Sequence, residues 1–287
     1  MTTRISKEQF DYVCGLAREN AAIVLEAGKE YLVETRLSPL ARSAGFDSLS
    51  SLIDHMRNDG GASPLRHRAV EALTTNETLF FRDFHPFEAL EKSIIPEAMA
   101  RKASQRKLSI WSAACSTGQE PYSLAMLLKQ RFPQLAGWTV EIIATDINTA
   151  VLEKAKSGTY SQLEVNRGLP LPMLAKYFSK VADSWELKPE IRGMVSFQPL
   201  NLIRPWPRLP SFDLVLMRNV LIYFDVPTKR TILERIKATM GPSAALFLGA
   251  SETTINIDPA WEIVSCGKSV YYRPKAAAAA KAMPGRN

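Results

Sequence analysis

The chain has 287 residues, 46% of them hydrophobic and 23% charged, with a net charge of +7. That is enough for one large α/β unit and a small companion, and no apolar run approaches the roughly 18 residues that would suggest a membrane span. Cys14, Cys115 and Cys266 stand far apart, and His55, His67 and His85 lack ligand spacing, so neither a disulfide framework nor a metal site is expected.

Met1-Thr2-Thr3-Arg4-Ile5 lacks the apolar core of an export signal, which with the cysteine usage predicts a cytoplasmic protein. Residues 1–75 read as helical. Phe10, Val13, Leu16 and Ala17, then Leu49, Leu52, Ile53 and Met56, recur at three- and four-residue spacing. Asn58-Asp59-Gly60-Gly61-Ala62-Ser63-Pro64 breaks the pattern. A polar and aromatic connector, 76–88, follows this small helical domain.

From about Lys107 the pattern alternates. Strands are predicted over 108–113, 139–145, 194–200, 213–218, 244–250, 261–266 and 269–273, and helices over 121–131, 148–156 and 227–240. Such alternation predicts a mostly parallel sheet with helices on both faces. Only Gly267-Lys268 separates the last two strands, so the sheet should close on an antiparallel hairpin. Seven strands ending this way fit the class I methyltransferase sheet, a Rossmann-like α/β fold, better than a dinucleotide dehydrogenase sheet, and the domain is expected to span 89–274. Between helix 148–156 and strand 194–200 lies an insertion with a helical part from Met173 to Phe178 and extended parts at Trp185–Lys188 and from Ile191; its small β-subdomain is expected at about 177–196. The Ala/Lys tail, 275–287, is expected to be disordered. The positive excess sits late, partly in Arg101, Lys102, Arg106 and Lys107 and partly beyond Glu262. It permits an acidic partner without requiring one.

The loop Ala113-Ala114-Cys115-Ser116-Thr117-Gly118 joins the first strand to a helix and is built of small residues, which let a ligand approach the backbone. Dinucleotide sites spell this loop GxGxxG and leave the helix start free for phosphate. Here only Gly118 remains and Glu120 stands at the mouth. A carboxylate there favours a positively charged ligand such as S-adenosylmethionine; the alternative is an ordinary strand-to-helix turn. Asp146 ends the second strand, where a carboxylate can accept from ribose hydroxyls or cap the following helix. Arg218, Asn219 and Tyr223 stand at or just beyond the end of the strand predicted over 213–218, where such sheets bind ligands. The Asn/Asp-Pro-Pro-Tyr/Phe motif of DNA adenine methyltransferases is absent there, so no nucleic-acid substrate is expected. In the connector, Arg82 stands beside Phe80 and Phe81, which could line a site or seal two domains together.

These residues carry a resemblance. The motifs are Thr75-Asn76-Glu77-Thr78 with Phe80-Phe81-Arg82, Ser116-Thr117-Gly118-Gln119-Glu120-Pro121-Tyr122-Ser123, Ala144-Thr145-Asp146-Ile147, Leu200-Asn201-Leu202 and Arg218-Asn219-Val220-Leu221-Ile222-Tyr223-Phe224. Together they resemble the CheR-type chemotaxis-receptor (protein-glutamate) O-methyltransferases over nearly everything from Phe10 to Arg273. The resemblance implies that Asn76, Thr78, Arg82, Glu120, Asp146, Asn201, Leu202, Arg218 and Asn219 contact S-adenosylmethionine. It implies that Arg82 and Tyr223 stand near the transferring methyl, and that S-adenosylhomocysteine and a glutamate γ-methyl ester are the products. It further implies that helical residues Lys29, Arg36 and Arg42 meet a chemoreceptor's cytoplasmic helical bundle. The chain is expected to do so as a monomer, without membrane insertion.

Some family members dock on a receptor pentapeptide through the β-subdomain. The short connection from Ser179 to Ser184 resembles members that do not use that tether. Gln119 departs from the family loop, which often carries Glu there. Two other function classes stay open: a methyltransferase for small carboxylic acids and a non-catalytic, cofactor-binding signalling regulator.

Overall fold

The computed structural model describes residues 5–59 and 63–275. Met1–Arg4, the glycine pair of the 58–64 break and nearly all of the expected disordered tail lie outside the described residues.

Four helices come first: α1 (Lys7–Ala21), α2 (Glu30–Ser43), α3 (Leu49–Asn58) and α4 (Pro64–Leu73). Serine starts three of them. Ser6 and Ser48 form reciprocal capping boxes with Gln9 and Ser51, and Ser63 caps a helix opened by Pro64. Their apolar stripes meet in a separate core that includes Val13, Leu37, Leu52, Ile53, Met56 and Val70. α2 runs through Pro39 without a break, its inner face anchored by buried Val33, Leu37 and Leu40.

The connector then enters a helical stretch that the periodicity did not announce: α5 (His85–Ala89), a π-turn (Leu90–Ile94) and α6 (Ile95–Arg101). Pro96 lacks an N–H and clashes with a regular helical turn before it, and the π-turn accommodates that defect.

The remaining elements are β1 (Lys107–Ala113), α7 (Gln119–Arg131), β2 (Thr139–Asp146), α8 (Thr149–Ser157), β3 (Thr159–Ser161), α9 (Gln162–Asn166) and α10 (Leu171–Tyr177). They continue with β4 (Phe178–Val181), β5 (Ser184–Leu187), α11 (Pro189–Arg192), β6 (Val195–Pro199), β7 (Phe212–Met217), α12 (Val226–Ala238), β8 (Met240–Leu248), β9 (Trp261–Cys266) and β10 (Ser269–Pro274). The large sheet has the order β6-β2-β1-β7-β8-β10-β9. Its first five members are parallel, and β10 runs antiparallel to both β8 and β9. This is the class I sheet with its closing hairpin. Side-chain alternation sorts the central strands between two cores: Leu108, Ile110, Leu214 and Leu216 face one, Trp111, Ala113, Val215 and Met217 the other.

The insertion folds differently in detail from the expected pattern. β3, β5 and β4 form a second, antiparallel sheet. Phe178, expected in a helix, begins β4 because its ring packs against Phe80 and Tyr160. Ile191, expected in an extended part, lies in the single turn α11, which Pro189 opens.

Sheet order sends β1 to β2 on one side and to β7 on the other, which opens a crevice beyond the carboxyl ends of these strands. The helical unit is fastened beside that crevice. Glu71 on α4 accepts from the Thr149 backbone N–H (2.6 Å) and hydroxyl (2.7 Å), and Asn148 Nδ2 donates to the Glu71 carbonyl at 3.0 Å.

Candidate active site

The loop after β1 is bent by three left-handed residues, Ala114 (φ 56°), Ser116 (φ 51°) and Gly118 (φ 90°). Gly118 is doubly required: its φ suits glycine, and an added Cβ would lie 2.9 Å from Cβ of Ala155. The bends turn the Ser116 N–H onto Asp146, whose Oδ2 accepts it at 2.8 Å, while Asp146 Oδ1 accepts from Asn148 N at 2.9 Å. Asn148, not Asp146, caps α8. Burial pushes the Asp146 carboxyl above its usual range, and the Asn148, Ser116 and Ile147 N–H groups pull it part of the way back.

Glu120, in the first turn of α7, accepts from Ser112 Oγ at 2.8 Å and pairs with Arg218 Nη1 at 3.1 Å. Arg218 is almost fully buried. Its Nη2 donates to the Arg82 carbonyl oxygen (2.9 Å) and to Asp83 Oδ2 (2.6 Å). One guanidinium thus ties the end of β7 to α7 and to the connector. The connector takes three left-handed turns to get there, at Phe81 (φ 49°), Asp83 (φ 65°) and Phe84 (φ 51°). Arg82 itself donates to the Glu77 carbonyl at 3.2 Å.

The small sheet supports this arrangement from behind. Phe80 sits edge-on to Tyr160 at 5.1 Å, and the Tyr160 hydroxyl donates to Thr117 in the cofactor loop at 2.8 Å.

Every residue expected at the cofactor or the methyl lines one cleft of about 1360 Å³ of empty space, part of it open to solvent. The connector contributes Asn76, Thr78 and Arg82, the start of α7 Glu120, the ends of β2 and β6 Asp146, Asn201 and Leu202, and the β7 end Arg218, Asn219 and Tyr223. Asn201 also bridges outward, donating to the Asn20 carbonyl at 2.7 Å and accepting from Ile203 N at 3.1 Å. The three basic residues expected to meet a receptor separate. Lys29 lines the cleft and pairs with Glu26 at 2.8 Å. Arg36 lines it too, and donates to the Leu73 carbonyl and, at 2.9 Å, to Thr75 Oγ1. Arg42 stands exposed near the end of α2, away from the cleft.

Sequence reasoning missed Asp83, the helical-unit wall of Leu25 and Leu32, and Glu252. Glu252 lies four residues past the end of β8, in a loop outside the recognised motifs, and no signal in the sequence singled it out.

A family model described as "CheR methyltransferase, SAM binding domain" matches residues 76–270, and one described as "CheR methyltransferase, all-alpha domain" matches residues 8–74. The chain belongs to the CheR methyltransferase family. It is 44% identical over 262 residues to chemotaxis protein methyltransferase 1 of Pseudomonas aeruginosa, covering 90% of this chain and 94% of that one. It is 41% identical to chemotaxis protein methyltransferase Cher2 of Pseudomonas putida, covering 88% and 93%. A 38% match to chemotaxis protein methyltransferase 1 of Vibrio cholerae covers 94% and 98%.

The cofactor of this CheR fold is S-adenosylmethionine, and the residues present suit it. Glu120 offers a carboxylate to a cationic group, Asp146 keeps acceptor capacity beside the N–H bonds it accepts from Ser116 and Asn148, and Ile147, Leu200 and Leu202 give an apolar wall for a flat base. Two buried polar atoms of the cleft, Arg218 Nε and Asn219 Oδ1, have no hydrogen-bond partner among the described residues.

Proposed function

We propose that this chain transfers the methyl group of S-adenosylmethionine to glutamate side chains of chemoreceptors, forming γ-methyl esters. One observation carries the reading: the cleft built from the CheR motifs is walled on one side by the helical unit, through Leu25, Lys29, Leu32 and Arg36. A small acceptor needs no such wall, whereas a helical bundle presenting a carboxylate needs a surface beside the site. The names of the relatives point the same way.

In this reading residues 1–75 recognise the receptor, residues 76–88 complete the cofactor site, and 89–274 form the transferase domain. Arg42 meets the bundle from α2, while Lys29 and Arg36 act at the cleft. Asn76, Thr78, Glu120, Asp146, Asn201, Leu202, Arg218 and Asn219 hold the cofactor. The two-residue turn Ala182-Asp183 between β4 and β5 supports independence from a pentapeptide tether. The chain works as a monomer against the cytoplasmic part of its receptor. Among the described residues no helix is long and apolar enough to cross a membrane.

The chemistry asks little acid or base work of the protein. When bound, S-adenosylmethionine supplies a methyl group on a cationic sulfur, and S-adenosylhomocysteine remains once that methyl has passed to a carboxylate oxygen. A glutamate acceptor is already ionised at neutral pH, with a reference pKa of about 4.3, so no general base is required. Arg82 and Tyr223 orient the carboxylate for in-line approach, and the walls from the helical unit and connector exclude water from it.

The test is incubation of the purified chain with methyl-labelled cofactor and a receptor cytoplasmic fragment. The expected product releases its label as methanol in alkali, as an ester does. Transfer only to free carboxylic acids would overturn the receptor assignment, and cofactor binding without any transfer would make the chain a regulator.

A further inference from the structure

Glu252 is a buried carboxylate in the loop after β8 and belongs to none of the CheR motifs recognised in the sequence. Its Oε2 accepts two backbone N–H bonds, from Asn219 at 2.7 Å and Gly249 at 2.6 Å. Its Oε1 accepts a third, from Ile222 at 3.2 Å. Two of the three donors lie in the turn that carries Arg218, Asn219 and Tyr223.

That turn needs holding. Asn219 has φ 59°, a left-handed conformation uncommon outside glycine that asparagine reaches most readily, and its backbone N–H is held there by the Glu252 carboxylate. Leu221–Tyr223 is a single 3₁₀ turn, too short to be stable alone. The neighbourhood leaves no room for relaxation. A Cβ added to Gly249 would lie 2.6 Å from Asn219 Nδ2 and 2.8 Å from both Asn219 N and Glu252 Oε2. From the outer side the Tyr272 hydroxyl bonds the Glu252 carbonyl at 3.4 Å and ties the clamp to β10.

We propose that Glu252 is a positioning residue for methyl transfer, clamping the Arg218–Tyr223 turn so that Asn219 meets the cofactor and Tyr223 meets the acceptor. The two carboxylate oxygens divide these tasks. Oε2 holds Asn219, on the cofactor side, and Oε1 holds Ile222, the neighbour of Tyr223. The proposal rests on the methyltransferase reading above, since it assigns Glu252 a role through residues placed in that site.

Glu252→Gln separates the two tasks. The amide oxygen can keep both Oε2 bonds, but its NH₂ then faces the Ile222 N–H, donor against donor. The expected result is cofactor affinity within about threefold of wild type and kcat lower by roughly 10- to 100-fold, the cost of a misplaced orienting group. Glu252→Ala releases both sides and should weaken cofactor binding as well. Tyr223→Phe in the Glu252→Gln background should lower kcat no further than the worse single change, because both act through one side chain. Amide exchange of the 218–224 segment, which needs no acceptor, should quicken in Glu252→Gln while the helical unit stays protected.

An unchanged kcat, unchanged exchange, or losses that simply multiply would overturn the proposal. A wild type that binds cofactor but methylates no acceptor overturns the proposed function, and the transfer role of Glu252 with it. The exchange result would then judge the clamp alone.

Discussion

Arg218 and Asp83 meet at 2.6 Å although 135 residues separate them, and the same guanidinium reaches Glu120 at 3.1 Å. The Arg218 side chain is only 2% exposed, against 12% for Glu120 and 40% for Asp83. A cation so buried holds its place only while its partners do. Arg218→Ala should therefore destabilise the fold by about 3 kcal/mol, the usual cost of breaking a buried pair from one side. Arg218→Lys should recover only part of that, because an ammonium cannot reach the Arg82 carbonyl, Asp83 and Glu120 with one planar fork. Thermal and denaturant unfolding of the two variants against wild type checks both.

Asp146 gives a prediction in affinity and in pH. Asp146→Ala removes the proposed ribose acceptor and frees the Ser116 N–H, so cofactor affinity should fall by about tenfold or more, equivalent to about 1.5–3 kcal/mol. The folded-state pKa of Asp146 is raised, chiefly by burial. Its contribution to stability is therefore present in full below its unfolded pKa and is lost as pH rises through the folded one. Ribose hydroxyls donate to the ionised form, so binding works in the opposite sense. Affinity should drop as pH falls through the raised pKa, earlier than an exposed aspartate would allow. Calorimetric titration with S-adenosylhomocysteine from neutral to acid pH should show that drop in wild type, with little of it in Asp146→Asn.

Gly168 lies under the connector. It has φ 83°, and a Cβ there would collide with the Phe80 carbonyl oxygen. Gly168→Ala should cost roughly 2–4 kcal/mol through strain and displaced packing. Because Phe80 leads directly to Arg82, cofactor affinity should fall in parallel. A melting temperature shift without any change in affinity would show that the connector tolerates the displacement.

Arg82 and Tyr223 line the cleft from opposite elements, the connector and the β7 end. Arg82→Ala should lower kcat by about tenfold or more at saturating cofactor and acceptor, with stability little changed, since among the described residues its side chain makes a single hydrogen bond, to the Glu77 carbonyl. Steady-state kinetics on a receptor fragment decides this. Near-normal turnover would remove Arg82 from the orienting role.

Much of this was legible in the sequence. The class I sheet and its hairpin followed from strand–helix alternation and from Gly267-Lys268. The small-residue loop and the acid ending β2 pointed to the crevice. Less legible was the helical stretch from His85 to Arg101, whose prolines obscure its periodicity. The assignment of Phe178 to a strand was also hidden, because Phe80, nearly a hundred residues earlier, decides it. Arg36 reads as one charge on a helical face, yet its guanidinium turns inward to the Leu73 carbonyl and Thr75.

By itself the sequence determined the class I sheet with its main flanking helices, the small-residue turn at Gly118, and the family. These depend on sterics, side-chain periodicity and short motifs acting within a few residues. Only the tertiary structure decided that Arg218 joins Asp83 to Glu120, that Glu252 holds the Tyr223 turn, and that the helical unit walls the cleft. Those relationships depend on which buried donors find acceptors after the chain has collapsed. A buried polar group must be satisfied by whatever the fold brings beside it, however distant in sequence.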